Sequence, residues 1–155
     1  NFIASCSVLG NVKVGFVEQF PDFFDGSLFD NLTLKDTLVK KEDVIKLAVV
    51  LSLGESFQCS DEEVLGINII DNGKKLSGGQ KKKLALIREK LKSPDLLLVD
   101  ELYAGLDQKN RGVVSKFIEQ SFGEITIIYT SHTDDDYHNT DKIFMLMNSE
   151  LKTIK

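Results

Sequence analysis

The chain is 155 residues long, room for one ordinary domain with a real core, and 42% of it is apolar, the proportion of a globular protein. Nineteen Lys and Arg against twenty-four Asp and Glu leave a formal charge of −5, which excludes a general binder of nucleic acid or anionic membrane, because no surplus of positive charge exists to neutralise phosphates. The apolar stretches, such as Leu96–Val99 and residues 125–131, are far too short to cross a bilayer, and Cys6 and Cys59 make neither a disulfide framework nor a metal site.

The two thiols read as structural groups in a reducing compartment, and no charged-then-apolar leader opens the sequence. It begins at Asn1 with Met145 and Met147 as its only methionines, so a piece of a longer protein is expected. In chain order, residues 12–17 alternate apolar and polar and predict a strand. Residues 20–31, rich in Phe, Asp and Gly, predict a loop. Residues 34–53 carry apolar positions at helical spacing and predict one or two amphipathic helices. Residues 55–75 are mixed, with a turn signal at Asn72-Gly73. Residues 79–92 predict a helix with Leu84, Ile87 and Leu91 on one stripe and Lys and Arg on the other side. Leu96–Val99 is a continuous apolar run after Ser93-Pro94-Asp95, the pattern of a strand buried on both faces. Gln108–Phe122 predicts a further amphipathic helix and residues 124–130 a second buried strand. Residues 134–140 predict a short helix with acids in its first turn, where the macrodipole favours them. Residues 143–147 and 151–154, around Asn148-Ser149, predict a terminal hairpin. Alternating strands and helices in the second half imply an α/β fold with a largely parallel sheet, beside a mostly helical lobe over residues 20–92.

Two short stretches carry chemistry. The apolar run ending at Val99 is followed by two carboxylates, Asp100 and Glu101. Ligands of open α/β sheets sit beyond the carboxyl ends of strands. An Asp there can hold Mg²⁺, and a Glu one residue on can polarise an attacking water. Acidic residues at a solvent edge would look the same. The second stretch is Leu76-Ser77-Gly78-Gly79-Gln80, at the start of the predicted helix. Two glycines let backbone N–H groups approach an anion, the helix points its positive end the same way, and Ser77 adds a hydroxyl.

Together these stretches resemble the ATP-binding domain of ABC transporters, exporter type. Leu76-Ser77-Gly78-Gly79-Gln80 resembles the signature motif, and residues 96–101 resemble Walker B with its catalytic Glu. Ala104-Gly105-Leu106-Asp107 resembles the D-loop, and residues 127–132, ending in Thr130-Ser131-His132, resemble the strand of the switch histidine. Asp141-Lys142-Ile143 is similar to a strand opening of the family, and Gly15-Phe16-Val17-Glu18-Gln19 resembles the strand that ends in the Q-loop glutamine. The segment with Pro21, Phe24, Asp25, Gly26, Ser27 and Asn31, and Asp71-Asn72-Gly73, look exporter-like. The resemblance runs from about Val12 to the end of the sequence, and residues 1–10 resemble nothing assignable.

The resemblance implies a partial P-loop NTPase-like parallel sheet with a helical subdomain that carries the signature. It divides the chain into residues 1–19, 20–94 and 95–155: core sheet to the Q-loop, helical subdomain, and core segment with Walker B, D-loop, switch His and hairpin. It implies ATP and Mg²⁺ as ligands. By the same resemblance Glu101 would orient the water, His132 would contact the γ-phosphate, Asp100 would organise Mg²⁺, and Gln19 would be a further ligand or water-positioner. Ser77, Gly78, Gly79 and Gln80 would read a nucleotide held by a second, head-to-tail ATP-binding domain, and Asp107 would couple the two sites. A transmembrane domain is implied as partner, with a coupling helix near the Q-loop, which places the domain at the cytoplasmic face of a membrane, with no role for nucleic acid. Phe20, Phe23 and Phe24 either fill the core or line the groove for that helix. Lys81-Lys82-Lys83 predict a solvated helix face, Asp134, Asp135 and Asp136 predict a helix cap, and His138 receives no role.

The sequence departs from the family most where ATP is anchored. No Gly-x-x-x-x-Gly-Lys-[Ser/Thr] occurs in it, so the P-loop segment is an implied missing partner, and the isolated chain is expected to bind ATP poorly. Leu102-Tyr103 and Ala104 also differ from the usual small residues. The alternative functions are a soluble ABC ATPase of DNA maintenance or translation, or a non-catalytic domain that lends its signature loop to a partner. A truncated sheet leaves an edge and apolar surface open, which predicts self-association.

Overall fold

In a computed structural model, residues 11–132, 140–147 and 150–154 are described. The expected helix over residues 134–140 falls outside them but for Thr140, as do Cys6, His138, Asp134 to Asp136 and the hairpin tip Asn148-Ser149. The described chain runs through β1 (Val14–Val17), β2 (Gly26–Ser27), α1 (Leu28–Thr33), α2 (Lys41–Val50), α3 (Leu53–Phe57), a 3-10 turn at Glu63–Gly66 and β3 (Asn68–Ile69). A second 3-10 turn at Asp71–Gly73 precedes α4 (Gly78–Lys92), β4 (Leu96–Val99), α5 (Gln108–Phe122), β5 (Thr126–Tyr129), β6 (Phe144–Met147) and β7 (Glu150–Thr153). The α/β class read from the sequence is the class observed.

The apolar runs pair as a parallel sheet in the order β1-β4-β5. Val14 faces Leu96 and Val17 faces Val99, while Leu96 faces Thr126 and Val99 faces Tyr129. Helix α4 lies across β1 on the face of Gly15 and Val17. A Cβ on Gly15 would come within 2.9 Å of Glu89 Oε2 and 3.1 Å of Leu97, so any larger residue there would push the Glu89 carboxylate aside. The helix also packs on α1, α2, α3 and α5. Its middle, Leu84 to Ile87, is therefore buried all round, not along one stripe as the sequence suggested. One apolar cluster runs without a break from Val17 through the helices to Phe122.

The sheet has one covered face. Leu97 and Val99 are buried, Leu96 and Leu98 half-buried, and β5 is exposed at Thr126 and Ile128. The expectation of two strands buried on both faces is thus corrected. Strand side chains alternate, α4 covers one set, and among the described residues nothing covers the set of Val14, Phe16 and Ile128. The antiparallel pair β6–β7 confirms the terminal hairpin, and its residues are exposed throughout.

The loop expected over residues 20–31 is partly a helix. Ser27 caps α1 by accepting from Asp30 N at 3.0 Å, and β2 pairs with β3 beside it. Buried Asn31 donates to the carbonyls of Phe24 and Ser27 and accepts from Phe24 N. Arg88 of α4 reaches the same segment, donating to the carbonyls of Asn31 and Asp22 and stacking on Phe23 at 4.3 Å. These bonds hold the stretch after Gln19 against α4. The turn expected at Asn72-Gly73 is present, with both residues at positive φ and Asn72 N bonded to Asp25.

Candidate functional site

Register brings the polar residues together. Three parallel strands end level at Val17, Val99 and Tyr129. The next residues of each therefore emerge side by side: Glu18-Gln19, Asp100-Glu101 and Thr130-Ser131-His132. Backbone bonds extend the alignment, from Asp100 N to Val17 O at 2.8 Å and from Thr130 N to Val99 O at 3.0 Å.

Glu101 is the centre of the cluster. Gln19 Nε2 donates to its Oε2 at 2.7 Å, and His132 Nε2 lies 2.9 Å from its Oε1. The Glu101 side chain is 19% exposed, whereas that of His132 is 83% exposed, so the carboxylate is sheltered and the imidazole faces solvent. Glu101 also sits at φ 51°, in the left-handed region that a residue with a Cβ rarely occupies. Such a conformation persists when neighbours over-determine it. Here one is Thr130, whose hydroxyl accepts from Glu101 N at 2.9 Å and donates to Asp100 Oδ1 at 2.8 Å. One hydroxyl thus fixes both the carboxylate of Asp100 and the backbone of Glu101. The sequence flagged Thr130 as the end of a strand and missed this role.

Lys82 lies behind the cluster. It is 2% exposed, and its ammonium donates to Asp100 O at 2.8 Å and Glu18 O at 3.2 Å. Burial pulls its pKa below the ordinary lysine value, while the negative charges of Asp100 and Glu101 oppose the fall. Lys83 is buried as well, donating to Ser56 Oγ at 2.8 Å. The solvated face expected of Lys81-Lys82-Lys83 is corrected for these two. Their stems pack as apolar chain, and their heads find oxygen partners inside the fold. The signal was their phase: Lys82 shares a helical stripe with Leu86 and Glu89, and Lys83 with Ile87.

The glycine turn forms the other part of the site. Ser77 caps α4: its Oγ accepts from Gln80 N at 3.2 Å, and Gln80 Oε1 accepts from Ser77 N at 2.9 Å. Gln80 Nε2 donates to Ser56 O at 2.8 Å, so Gln80 anchors the turn to α3. The two glycines differ. A Cβ on Gly78 would meet nothing within 4 Å, while one on Gly79 would come within 3.1 Å of Leu106. Gly78 therefore leaves room in front of the helix end, and Gly79 lets the Gly105-Leu106 turn pack against it. Asp107, past that turn, caps α5 by accepting from Asn110 N at 2.8 Å, the main reason its pKa lies below the ordinary carboxylate value. Lys82 ties α4 to the carboxylate cluster through the carbonyls of Glu18 and Asp100.

The unusual residues after Glu101 have structural uses. Leu102 is buried, and Tyr103 meets Tyr129 edge to face and shares a hydrogen bond with Ser115. Phe23 belongs to the core, Phe24 is half-buried, and Phe20 is exposed at 76%. Among the described residues no cluster of three or more His, Cys, Asp or Glu forms a metal cage. The Asp100 carboxylate, aimed by Thr130 at the strand ends, does fit Mg²⁺, which keeps waters and takes its other ligands from phosphates. The open helix end with Ser77 suits a phosphate.

A family model described as ABC transporter matches residues 7–104. An "ABC transporter" of Fusarium pseudograminearum is 26% identical over 142 residues, covering 86% of this chain and 11% of that protein. "Multidrug resistance protein 1" of Entamoeba histolytica is 27% identical, covering 90% and 11%. "ABC transporter B family member 1" of Dictyostelium discoideum is 27% identical, covering 90% and 15%. The chain thus spans a small part of the length of these relatives. Among solved structures, a bacterial Atm1-family ABC exporter with ATP bound superposes at TM-score 0.79 with 22% identity, over 90% of this chain and 24% of that one, and so shares its fold.

Proposed function

The chain belongs to the ABC transporter family, and we propose from that premise that it is the part of an ATP-binding domain that acts on the γ-phosphate end of Mg-ATP. The observation that carries this reading is Glu101, held at the ends of three parallel strands between Gln19 and His132. When bound, Mg-ATP supplies the phosphoryl group and the cation that spreads its charge. Glu101 orients a water and accepts its proton, with Gln19 fixing one carboxylate oxygen and His132 the other. Asp100, aimed by Thr130, offers an oxygen to the cation. Such catalysis rests on positioning and preset charge, which crossed hydrogen bonds supply.

Ser77, Gly78 and Gly79 face a nucleotide held by a second ATP-binding domain, with Gln80 holding their turn and Asp107 at the shared boundary. The parent protein couples hydrolysis to export; in support, two relatives are named as ABC transporters and the solved neighbour as an ABC exporter with ATP bound. Residues 20–94 act as the helical subdomain between core segments 1–19 and 95–155. Exposed Phe20, next to Gln19, suits a coupling helix from a membrane domain at the cytoplasmic face. No described helix of this chain is long and apolar enough to cross a membrane.

Two measurements test the reading. Titration of Mg-ATP into the 155-residue chain is expected to give no binding at micromolar concentration, since no P-loop sequence is present; micromolar binding would assign the phosphate cradle to other residues. In an ATPase that carries this chain together with a P-loop, Glu101→Gln is expected to lower turnover by at least about a hundredfold while nucleotide still binds. Unchanged turnover would sink the role of Glu101.

A further inference from the structure

We propose that Lys82 is a positioning residue, a strut that ties the phosphate-reading end of α4 to the hydrolytic cluster of the same chain. The inference rests on the function proposed above for the two ends and adds the link between them. The strut's geometry is specific. Ser77 caps α4, and Lys82 stands in the second turn of that helix. Its ammonium holds the carbonyl of Glu18, one residue before Gln19, and the carbonyl of Asp100, one residue before Glu101. Gln19 and Glu101 are the pair joined at 2.7 Å. One side chain therefore fixes the spacing of the two strand ends from which the pair projects.

The far end of α4 is clipped to the same strand. Glu89 Oε2 accepts from Phe16 N at 3.2 Å, and Gly15 lets the helix approach that closely. With the helix pinned at Glu89, displacement of its Ser77 end is a tilt about that point, and Lys82 passes the tilt to Glu18 and Asp100. A charged donor on two carbonyls makes stronger bonds than a neutral one, and at 2% exposure water offers little competition.

A double-substitution cycle read by NMR on the 155-residue chain tests the strut without nucleotide, so its outcome and that of the Mg-ATP titration are independent. Lys82→Met keeps the stem and removes the ammonium. Exchange of Asp100 N–H is expected to speed up by about tenfold or more, while Leu86 N–H in mid-helix keeps its rate. Ser77→Ala, which loosens the helix start, is expected to move the Gln19 side-chain amide resonance in the parent chain and to leave it in place in Lys82→Met. The proposal is overturned if Lys82→Met speeds exchange equally through α4 and the sheet, the pattern of a merely structural residue. It is also overturned if Ser77→Ala moves Gln19 by the same amount in both backgrounds, or in neither. Should Lys82→Met fail to fold, Lys82→Gln, a shorter neutral donor that cannot span both carbonyls, carries the same cycle.

Discussion

The turn at Ser77 and the cluster around Glu101 are built in opposite ways. The turn is local: its cap closes between Ser77 and Gln80, three residues apart, and its glycines leave the helix end open. The cluster is assembled from three distant segments, with Gln19 and Glu101 eighty-two positions apart and Thr130 and His132 arriving on a third strand. A local turn can form whenever its helix forms. The cluster exists only if the sheet holds its register, and it keeps Glu101 in a backbone conformation that isolated chain would leave.

The largest expected effect attacks the support that the cluster alone needs. Leu97 is fully buried in the central strand, and Leu97→Ala should cost about 2–5 kcal/mol in urea unfolding through the cavity it leaves. A loss well below that range would show that the sheet relaxes around the gap. Next comes Gly79→Val, which forces a side chain against Leu106 and should cost about 1–3 kcal/mol by overpacking. An unchanged midpoint would mean that the Leu106 turn gives way freely. The two regions can then be compared with matched deletions of one hydroxyl. Thr130→Val and Ser77→Ala should each cost about 1 kcal/mol, but the first, by freeing Glu101 N directly, should shift the His132 ring signals more than the second does through Lys82. Equal movement of His132 in both would erase the distinction between the regions.

The smallest effect is one of pH. Asn110 N–H holds the folded pKa of Asp107 below its ordinary value of about 3.9. The cap's contribution is present above that ordinary value and is lost as pH falls through the lower folded value. Asp107→Asn keeps a capping oxygen without the charge, so its urea midpoint should fall less steeply than that of the parent below about pH 4. Parallel acid limbs would show that Asp107 does not contribute there.

The fold class and the Asp100-Glu101 pair were legible because apolar runs carry them, whereas Gln19 and His132 were legible only through the family resemblance. Asp100 and Glu101 follow an unbroken run of Leu and Val, and strand ends of a parallel sheet converge by register alone. Thr130 and Lys82 were not legible as site residues. A hydroxyl at a strand end has many uses, and a lysine among three reads as solvated until the fold supplies carbonyls for it. The six-residue helix α1 was missed because so short an element depends on its Ser27 cap and on the buried Asn31 beside it rather than on periodicity. Burial of β5 was overestimated because an apolar strand looks the same in sequence whether one face or both are covered.

The empty space in front of Gly78 separates what a stability screen can detect from what the site needs. Alanine there meets no neighbour and lowers the backbone entropy of the unfolded chain, so Gly78→Ala should fold as well as the parent or better. A library ranked by soluble yield would therefore score position 78 as permissive and position 79 as restricted, although both belong to the one turn proposed to face phosphate. Selection for robustness alone would favour filling position 78, and a methyl group would then stand where the proposed nucleotide approaches.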